Sequence, residues 1–168
     1  LERKPEDAQA WQGIAGAYKQ LGRTEEATRA CERAIRAYEE TLRSREDAWS
    51  WSCLGDLYDG AGRKEDAIRA LERATALDPD ALLARMKLRD LYEKAGRPDD
   101  AIALQRSQVQ RHPDDALEWG SLGIQLARAN RHEEAIEAYR RSLRIAPGDG
   151  DTWCSLGVAL EAVDRKEE

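Results

Sequence analysis

Apolar side chains recur along most of the chain at the three- and four-residue spacing of amphipathic helices. Between Ala116 and Asp149, Trp119 and Leu122 show this spacing first, and Ala135 and Tyr139 repeat it in the second half. Gly and Pro punctuate these stretches at regular intervals, where helices end. Alternation of apolar and polar residues, which would indicate strands, is not a feature of any long stretch. The pattern therefore predicts roughly nine short helices joined by turns and no strand.

The helical pattern itself repeats along the chain. Counting from the stretch 116–149 in steps of 34 residues returns residues of the same type. The matching sets are Leu122, Ala135 and Pro147; then Leu88, Ala101 and Pro113; then Leu54, Ala67 and Pro79. Forward counting relates Trp119, Leu122 and Gly123 to Trp153, Leu156 and Gly157. A fixed period of this length indicates an array of structural repeats.

This pattern of Trp, Leu-Gly, Tyr, Ala and Pro at fixed offsets resembles the tetratricopeptide repeat. The resemblance implies an all-α fold, a right-handed α-solenoid of antiparallel helix pairs with about four units and a terminal helix. The expected organisation is one continuous domain in six parts. These are 1–7, the tail of a preceding repeat; 8–47, repeat 1; 48–81, repeat 2; 82–115, repeat 3; 116–149, repeat 4; and 150–168, a half repeat or capping helix.

Repeat 1 departs from the pattern. Glu39 stands where the repeat-ending Pro is expected, and Trp11 and Trp51 are six residues further apart than the period of 34. We expect the extra residues to lengthen the second helix of this repeat. Gly22 should end its first helix in the left-handed conformation, and Thr24 should cap the second. The five Trp and five Tyr are expected to lie mostly in the stacking core.

Charge and composition narrow the classes of partner. Charged residues make up 36% of the chain and give a net charge of -6, without the basic footprint that nucleic acid requires. No apolar run is long enough to cross a bilayer, so no membrane partner is expected. Three widely spaced cysteines, Cys31, Cys53 and Cys154, indicate free thiols in a reducing compartment. We expect a cytoplasmic protein, and a segment of a longer one because its first residues resemble the end of a repeat.

Candidate chemistry is sparse. His112 and His132 fall at turns without carboxylate or thiol partners at metal-ligand spacing. Asp99-Asp100 and Asp114-Asp115 precede or open helices, where negative charge complements the helix dipole. No Gly-rich phosphate loop follows a strand pattern. The sequence therefore predicts a non-catalytic protein with neither cofactor nor metal.

The resemblance implies a binding surface instead. First helices of the repeats line a concave groove in this family, and several groove positions carry apolar side chains that packing within one repeat does not require. An acidic cluster of Asp56, Asp59, Asp90 and Glu93 is expected nearby, suited to Lys or Arg on a ligand. An equal alternative is that some of these side chains pack between neighbouring first helices. The predicted partner-binding residues are Trp49, Asp56, Asp59, Leu83, Met86, Lys87, Asp90, Leu117, Ile124 and Val158.

The predicted function is a protein-protein interaction scaffold that binds a peptide or protein on this concave face. The two-carboxylate clamp that some family members use for chaperone tails is not expected, because no frame of three repeats has the required Lys, Asn and Arg. One alternative is the recognition or regulatory arm of a larger enzyme, such as a glycosyl- or sulfo-transferase. Another is a self-assembling solenoid with head-to-tail contacts between chains.

Overall fold

The computed structural model describes the backbone of residues 5–167 and the side chains of residues 8–164. Within that part of the chain there are nine helices and no strand, so the predicted all-α class is confirmed. The helices are α1 (Pro5–Gln20), α2 (Thr24–Ser44), α3 (Ala48–Gly60), α4 (Lys64–Leu77), α5 (Leu82–Lys94), α6 (Pro98–Arg111), α7 (Ala116–Arg128), α8 (His132–Ile145) and α9 (Gly150–Glu167). Short turns join them, as the Gly and Pro positions predict. The predicted tail, residues 1–7, lies largely outside the described residues.

The helices form two compact units, Leu1–Leu91 and Tyr92–Glu168. In the first unit, each helix buries one stripe of apolar side chains against its neighbours. Tyr38 of α2, Leu54 of α3 and Leu71 of α4 are almost fully inaccessible to solvent. Small residues of α4, Ala67 and Ala74, let its backbone approach α3 closely.

The core of the second unit is continuous from α6 to α9. Ile102 of α6, Leu126 of α7, Tyr139 of α8 and Leu156 of α9 belong to one buried apolar cluster. Because Leu156 and Ala159 join this cluster, α9 covers an apolar face of the preceding helix pair.

Left-handed residues terminate the first helices. Gly22 has a φ of 70°, as predicted, and Gly62 and Gly96 have φ values of 74° and 68°. Asn130 takes the same conformation at φ 58°, since Asn tolerates this region better than most residues. The predicted cap at Thr24 was wrong: Arg23 occupies the N-cap position of α2 and makes no side-chain cap hydrogen bond.

Helix α2 is the irregular element, with 21 residues where α4, α6 and α8 have 14 each. Its extra length falls in repeat 1, where the spacing between Trp11 and Trp51 is longer. The residue boundaries of the repeats stay predictions. The expectation for the Trp side chains was too simple, because Trp49 and Trp153 are 51% and 54% exposed and the other three are half-buried.

Candidate interaction surface

In the first unit, the predicted apolar groove residues lie on the outward face of α3 and α5. Trp49 is 51% exposed, whereas Leu54, five residues later on α3, is buried at 1%. On α5, Leu83 and Met86 are 70% and 43% exposed, whereas Leu88 is buried. Each helix thus carries exposed apolar side chains away from its buried stripe, one on α3 and two on α5.

The ring of Trp49 packs against the buried ring of Tyr38. Their rings meet edge to face, with centroids 6.0 Å apart and an interplanar angle of 63°. The Tyr38 hydroxyl donates a hydrogen bond to Gln12 Oε1 at 2.9 Å. Burial raises the pKa of Tyr38, so the hydroxyl remains a donor at neutral pH. Trp49 is therefore exposed on one side while its other side contacts a buried, hydrogen-bonded residue.

An ion pair crosses from α3 to α5 within the predicted acidic cluster. Lys87 Nζ donates to both carboxylate oxygens of Asp56, at 2.6 and 2.5 Å. Asp90 lies 4.0 Å from Arg89 Nε, at the limit of an ion pair, and Asp59 has no ion-pair partner among the described residues. Part of the expected negative charge is therefore neutralised within the first unit, and Asp59 and Asp90 are the carboxylates left to face a ligand.

In the second unit, the predicted residues lie on α7 and α9. Leu117, Ile124 and Val158 are 76%, 42% and 69% exposed. Arg128 of α7 donates through Nη1 to the two Glu93 carboxylate oxygens, at 2.9 and 3.0 Å. Glu93, the last member of the predicted cluster, is therefore also paired, and the sequence did not predict this ion pair.

The histidines and cysteines singled out in the sequence lie at helix ends or are free thiols. No group of three or more His, Cys, Asp or Glu side chains is placed to hold a metal ion among residues 8–164. His112 ends α6 and His132 is the first residue of α8. Cys31, Cys53 and Cys154 are free, and burial raises the pKa of the first two thiols. Each described helix is too short or too polar to span a membrane.

The sequence matches two family models, both described as tetratricopeptide repeat. One matches residues 6–80, and the other matches residues 54–116 and 90–150. The chain therefore belongs to the tetratricopeptide repeat family. No curated protein matched it.

Solved structures of the same fold include two crystal structures of MamA and one of YrrB. The first MamA structure is 24% identical with a TM-score of 0.62, and covers 96% of this chain and 85% of its own. The second is 25% identical with a TM-score of 0.60, covering 90% and 85%. YrrB, described as a TPR protein with an unusual peptide-binding site, is 23% identical with a TM-score of 0.58, covering 94% and 74%. Family and fold together support a protein-interaction scaffold of a non-catalytic kind.

Proposed function

We propose that this chain binds a peptide or protein partner through the exposed apolar side chains of α3 and α5 in the first unit and of α7 and α9 in the second. The observation that carries the proposal is the exposure of six predicted groove residues. Trp49, Leu83, Met86, Leu117, Ile124 and Val158 are each between 42% and 76% accessible. Within each unit these side chains lie on two neighbouring first helices or on the terminal helix, and exposed apolar patches mark interaction sites more often than single exposed side chains do.

The chemistry of this surface describes its partner. Burying a large apolar side chain contributes roughly 1.5 to 3 kcal/mol, so a partner with hydrophobic anchors gains most from Trp49 and Met86. Asp59 and Asp90 favour Lys or Arg beside those anchors. The description of YrrB as a peptide-binding protein supports the same class of ligand for this chain.

The proposed ligand is not a chaperone tail. In the first frame of three repeats the clamp positions are Gln12, Gly16, Cys53, Leu83 and Lys87. Lys87, the one cation among them, is already bonded to Asp56. The other two frames contain no better set, so an acidic tail ending in a free carboxylate has no matching group of cations. Titration with such a peptide is expected to show no binding, and binding that amidation of its terminus abolishes would contradict this.

The test compares partner capture by the wild type, a double variant and a control variant, after circular dichroism has shown that all three are helical. The double variant Trp49→Ala with Met86→Ala removes the anchors of the first unit. The matched control Leu77→Ala removes an apolar side chain of similar exposure, 42%, from the second helix of a pair. The double variant is expected to lose a partner that wild type and control retain. Equal retention by all three would place the interaction elsewhere on the chain.

A parallel pair of variants, Ile124→Ala and Val158→Ala, tests the second unit in the same way.

Head-to-tail self-association is tested separately, by light scattering across a range of concentrations. A mass that stays at one chain while partner capture succeeds would exclude it as the explanation of binding.

A further inference from the structure

A cleft lies in the first unit beside the N-terminal half of α2, which is longer than the helix α3 that follows it. The two helices have 13 and 21 residues, a difference of about 12 Å at the rise of an α-helix. Near the C-terminal end of α3, Tyr58 donates a hydrogen bond to Glu39 in the C-terminal half of α2, with Oη 2.5 Å from Oε1. The N-terminal half of α2 therefore extends past α3, and a space of about 770 Å3 remains between this half, α1 and the end of α3. We call it the α2 cleft.

A small side chain enlarges this space. Leu71 and Tyr139 occupy the same repeat position in α4 and α8, and each packs against a Gly of the preceding helix. Cys31 holds that position in α2 and is only half-buried. Its neighbour Ala27 is also half-buried, whereas the equivalent Ala67 is fully buried. Ala15 of α1 stands where those two pairs have Gly, so Ala15 and Cys31 together replace a Gly and a large side chain. The half-buried Cys31 and Ala27 leave this part of the α2 cleft open.

The walls of the cleft suit an apolar group. Ala15, Ile35 and Leu57 form its floor together with Ala27 and Cys31. Burial raises the pKa of the Cys31 thiol, which keeps it uncharged. The volume falls within the range of roughly 300 to 1,000 Å3 that is typical of ligand sites.

The charged side chains that line the α2 cleft differ in whether they have an ion-pair partner. Of the charged side chains that line the cleft, Asp56 is bonded to Lys87, and Arg63 lies 2.6 Å from Asp66. Glu32 lies 3.9 Å from Arg36. Lys19 has no ion-pair partner among the described residues. A ligand with a negative group next to its apolar part would therefore complement this rim.

We propose that the α2 cleft binds one large apolar side chain, of Leu to Tyr size, from a partner peptide that carries Asp or Glu beside it for Lys19. The choice of a peptide as ligand rests on the proposed function, whereas the site is separate from the exposed anchors Trp49 and Met86. The cleft supplies the volume, and Lys19 supplies the charge that selects the neighbouring residue.

The test uses random dodecapeptides displayed on phage and selected on the wild-type chain. Selected sequences are expected to be enriched in a large apolar residue next to Asp or Glu. Cys31→Leu, which places a larger apolar side chain in the cleft beside Ala15, is expected to weaken binding at least about tenfold. Circular dichroism checks that this variant keeps its helices. Lys19→Gln should weaken binding about threefold, whereas the matched control Lys64→Gln should leave it unchanged.

A second readout does not depend on how Cys31→Leu folds. In a chain carrying Cys53→Ser and Cys154→Ser, Cys31 is the one thiol left to alkylate with iodoacetamide. A saturating selected peptide is expected to slow this alkylation severalfold. Peptides that bind without protecting Cys31, or that prefer Lys or Arg beside the apolar residue, would overturn the proposal.

Two outcomes separate this inference from the proposed function. Peptides that bind Cys31→Leu as tightly as wild type but are lost with Trp49→Ala and Met86→Ala contradict the cleft and support the exposed surface. The reverse pattern supports the cleft alone. If no peptide is enriched, while 8-anilinonaphthalene-1-sulfonate binds wild type and not Cys31→Leu, the cleft takes small molecules and the peptide ligand is wrong.

Discussion

At the scale of single residues, the close packing of α7 on α8 depends on the absence of a side chain at Gly123. A Cβ there would overlap the Tyr139 ring, with Cδ1 at 2.5 Å and Cζ at 2.9 Å. Gly157 holds the same repeat position in α9, and a Cβ there would meet nothing within 4 Å. Two glycines of one repeat position are therefore in opposite environments.

Gly123→Ala is expected to destabilise the chain by about 1 to 2 kcal/mol, because overpacking outweighs the gain in helix propensity. The matched control Gly157→Ala should instead stabilise it by about 0.5 to 1 kcal/mol. Urea unfolding followed by circular dichroism measures both. Equal effects of the same sign would show that Tyr139 moves aside without cost.

Some residue conformations and contacts were predictable from the sequence and others were not, for identifiable reasons. Gly22 was predictable as a left-handed residue because glycine adopts this conformation without steric cost. Asn130 was not, because Asn is also common in turns of other types. The Lys87–Asp56 pair was missed because it joins residues 31 apart, whose distance depends on helix spacing rather than on sequence.

At the scale of helices, the second helix of every pair starts with the same arginine arrangement. The N-cap residues are Arg23, Arg63, Arg97 and Arg131, none of which makes a side-chain cap hydrogen bond. Each forms an ion pair with the acidic residue three positions later, Glu26, Asp66, Asp100 or Glu134. Three also lie over a tyrosine ring of the preceding helix, with Arg63 4.3 Å from the centroid of Tyr58. These contacts fix the turn in place of the predicted Thr cap.

This arrangement predicts a pH dependence of stability. The hydrogen bond from the neighbouring arginine lowers the pKa of Glu26, Asp66 and Glu134. A carboxyl whose pKa is lower in the folded than in the unfolded chain stabilises the fold above its unfolded pKa, near about 4. That contribution is lost as the pH falls through the folded value. The effect should be small, since the pairs are exposed.

The measurement is Tm against pH for wild type and a triple variant, Glu26→Gln with Asp66→Asn and Glu134→Gln. The difference in Tm should be largest near neutral pH and should shrink as the pH falls below about 4. A control changes exposed acids of the same first turns and removes the same charge: Glu25→Gln with Glu65→Gln and Glu133→Gln. If the wild type keeps the same excess in Tm over the triple variant at low pH, the packing of these side chains rather than their charge stabilises the turns.

The candidate surface could be predicted only in part. Which side chains are exposed follows from helix periodicity, so Leu83 and Ile124 could be placed from sequence alone. Which charged groups remain unpaired does not follow from periodicity. Several carboxylates could pair with Lys87 or Arg128, and the spacing of the helices decides which ones do. The α2 cleft was also beyond sequence reasoning. The long helix and the small Cys31 were both visible, but their joint effect depends on where α3 ends.

At the scale of the whole molecule, the fold class was predictable because the same residue types recur at the same positions of successive repeats. A repeat that cannot bury its apolar stripe alone requires its neighbour, so the period specifies the packing as well as the helices. The division into two compact units was not predictable in this way, because the period continues through Leu91 and Tyr92.

The two units make a prediction about local stability. In a repeat array, stability is a sum over units and their interfaces, and parts of the array can open separately. Leu126→Ala removes a side chain that is 2% exposed in the core of the second unit. Leu54→Ala does the same in the first unit, where Leu54 is 1% exposed. Each should cost about 2 to 5 kcal/mol.

Amide hydrogen exchange distinguishes local from global effects of these two variants. Leu126→Ala is expected to speed exchange in α7 and α8 while α3 and α4 stay close to wild type, and Leu54→Ala is expected to do the reverse. The reciprocal design makes each variant the control for the other, since both remove the same atoms from a buried site. Faster exchange throughout the chain in both variants would instead show that the units unfold as one cooperative body, because any local opening would then cost as much as global unfolding.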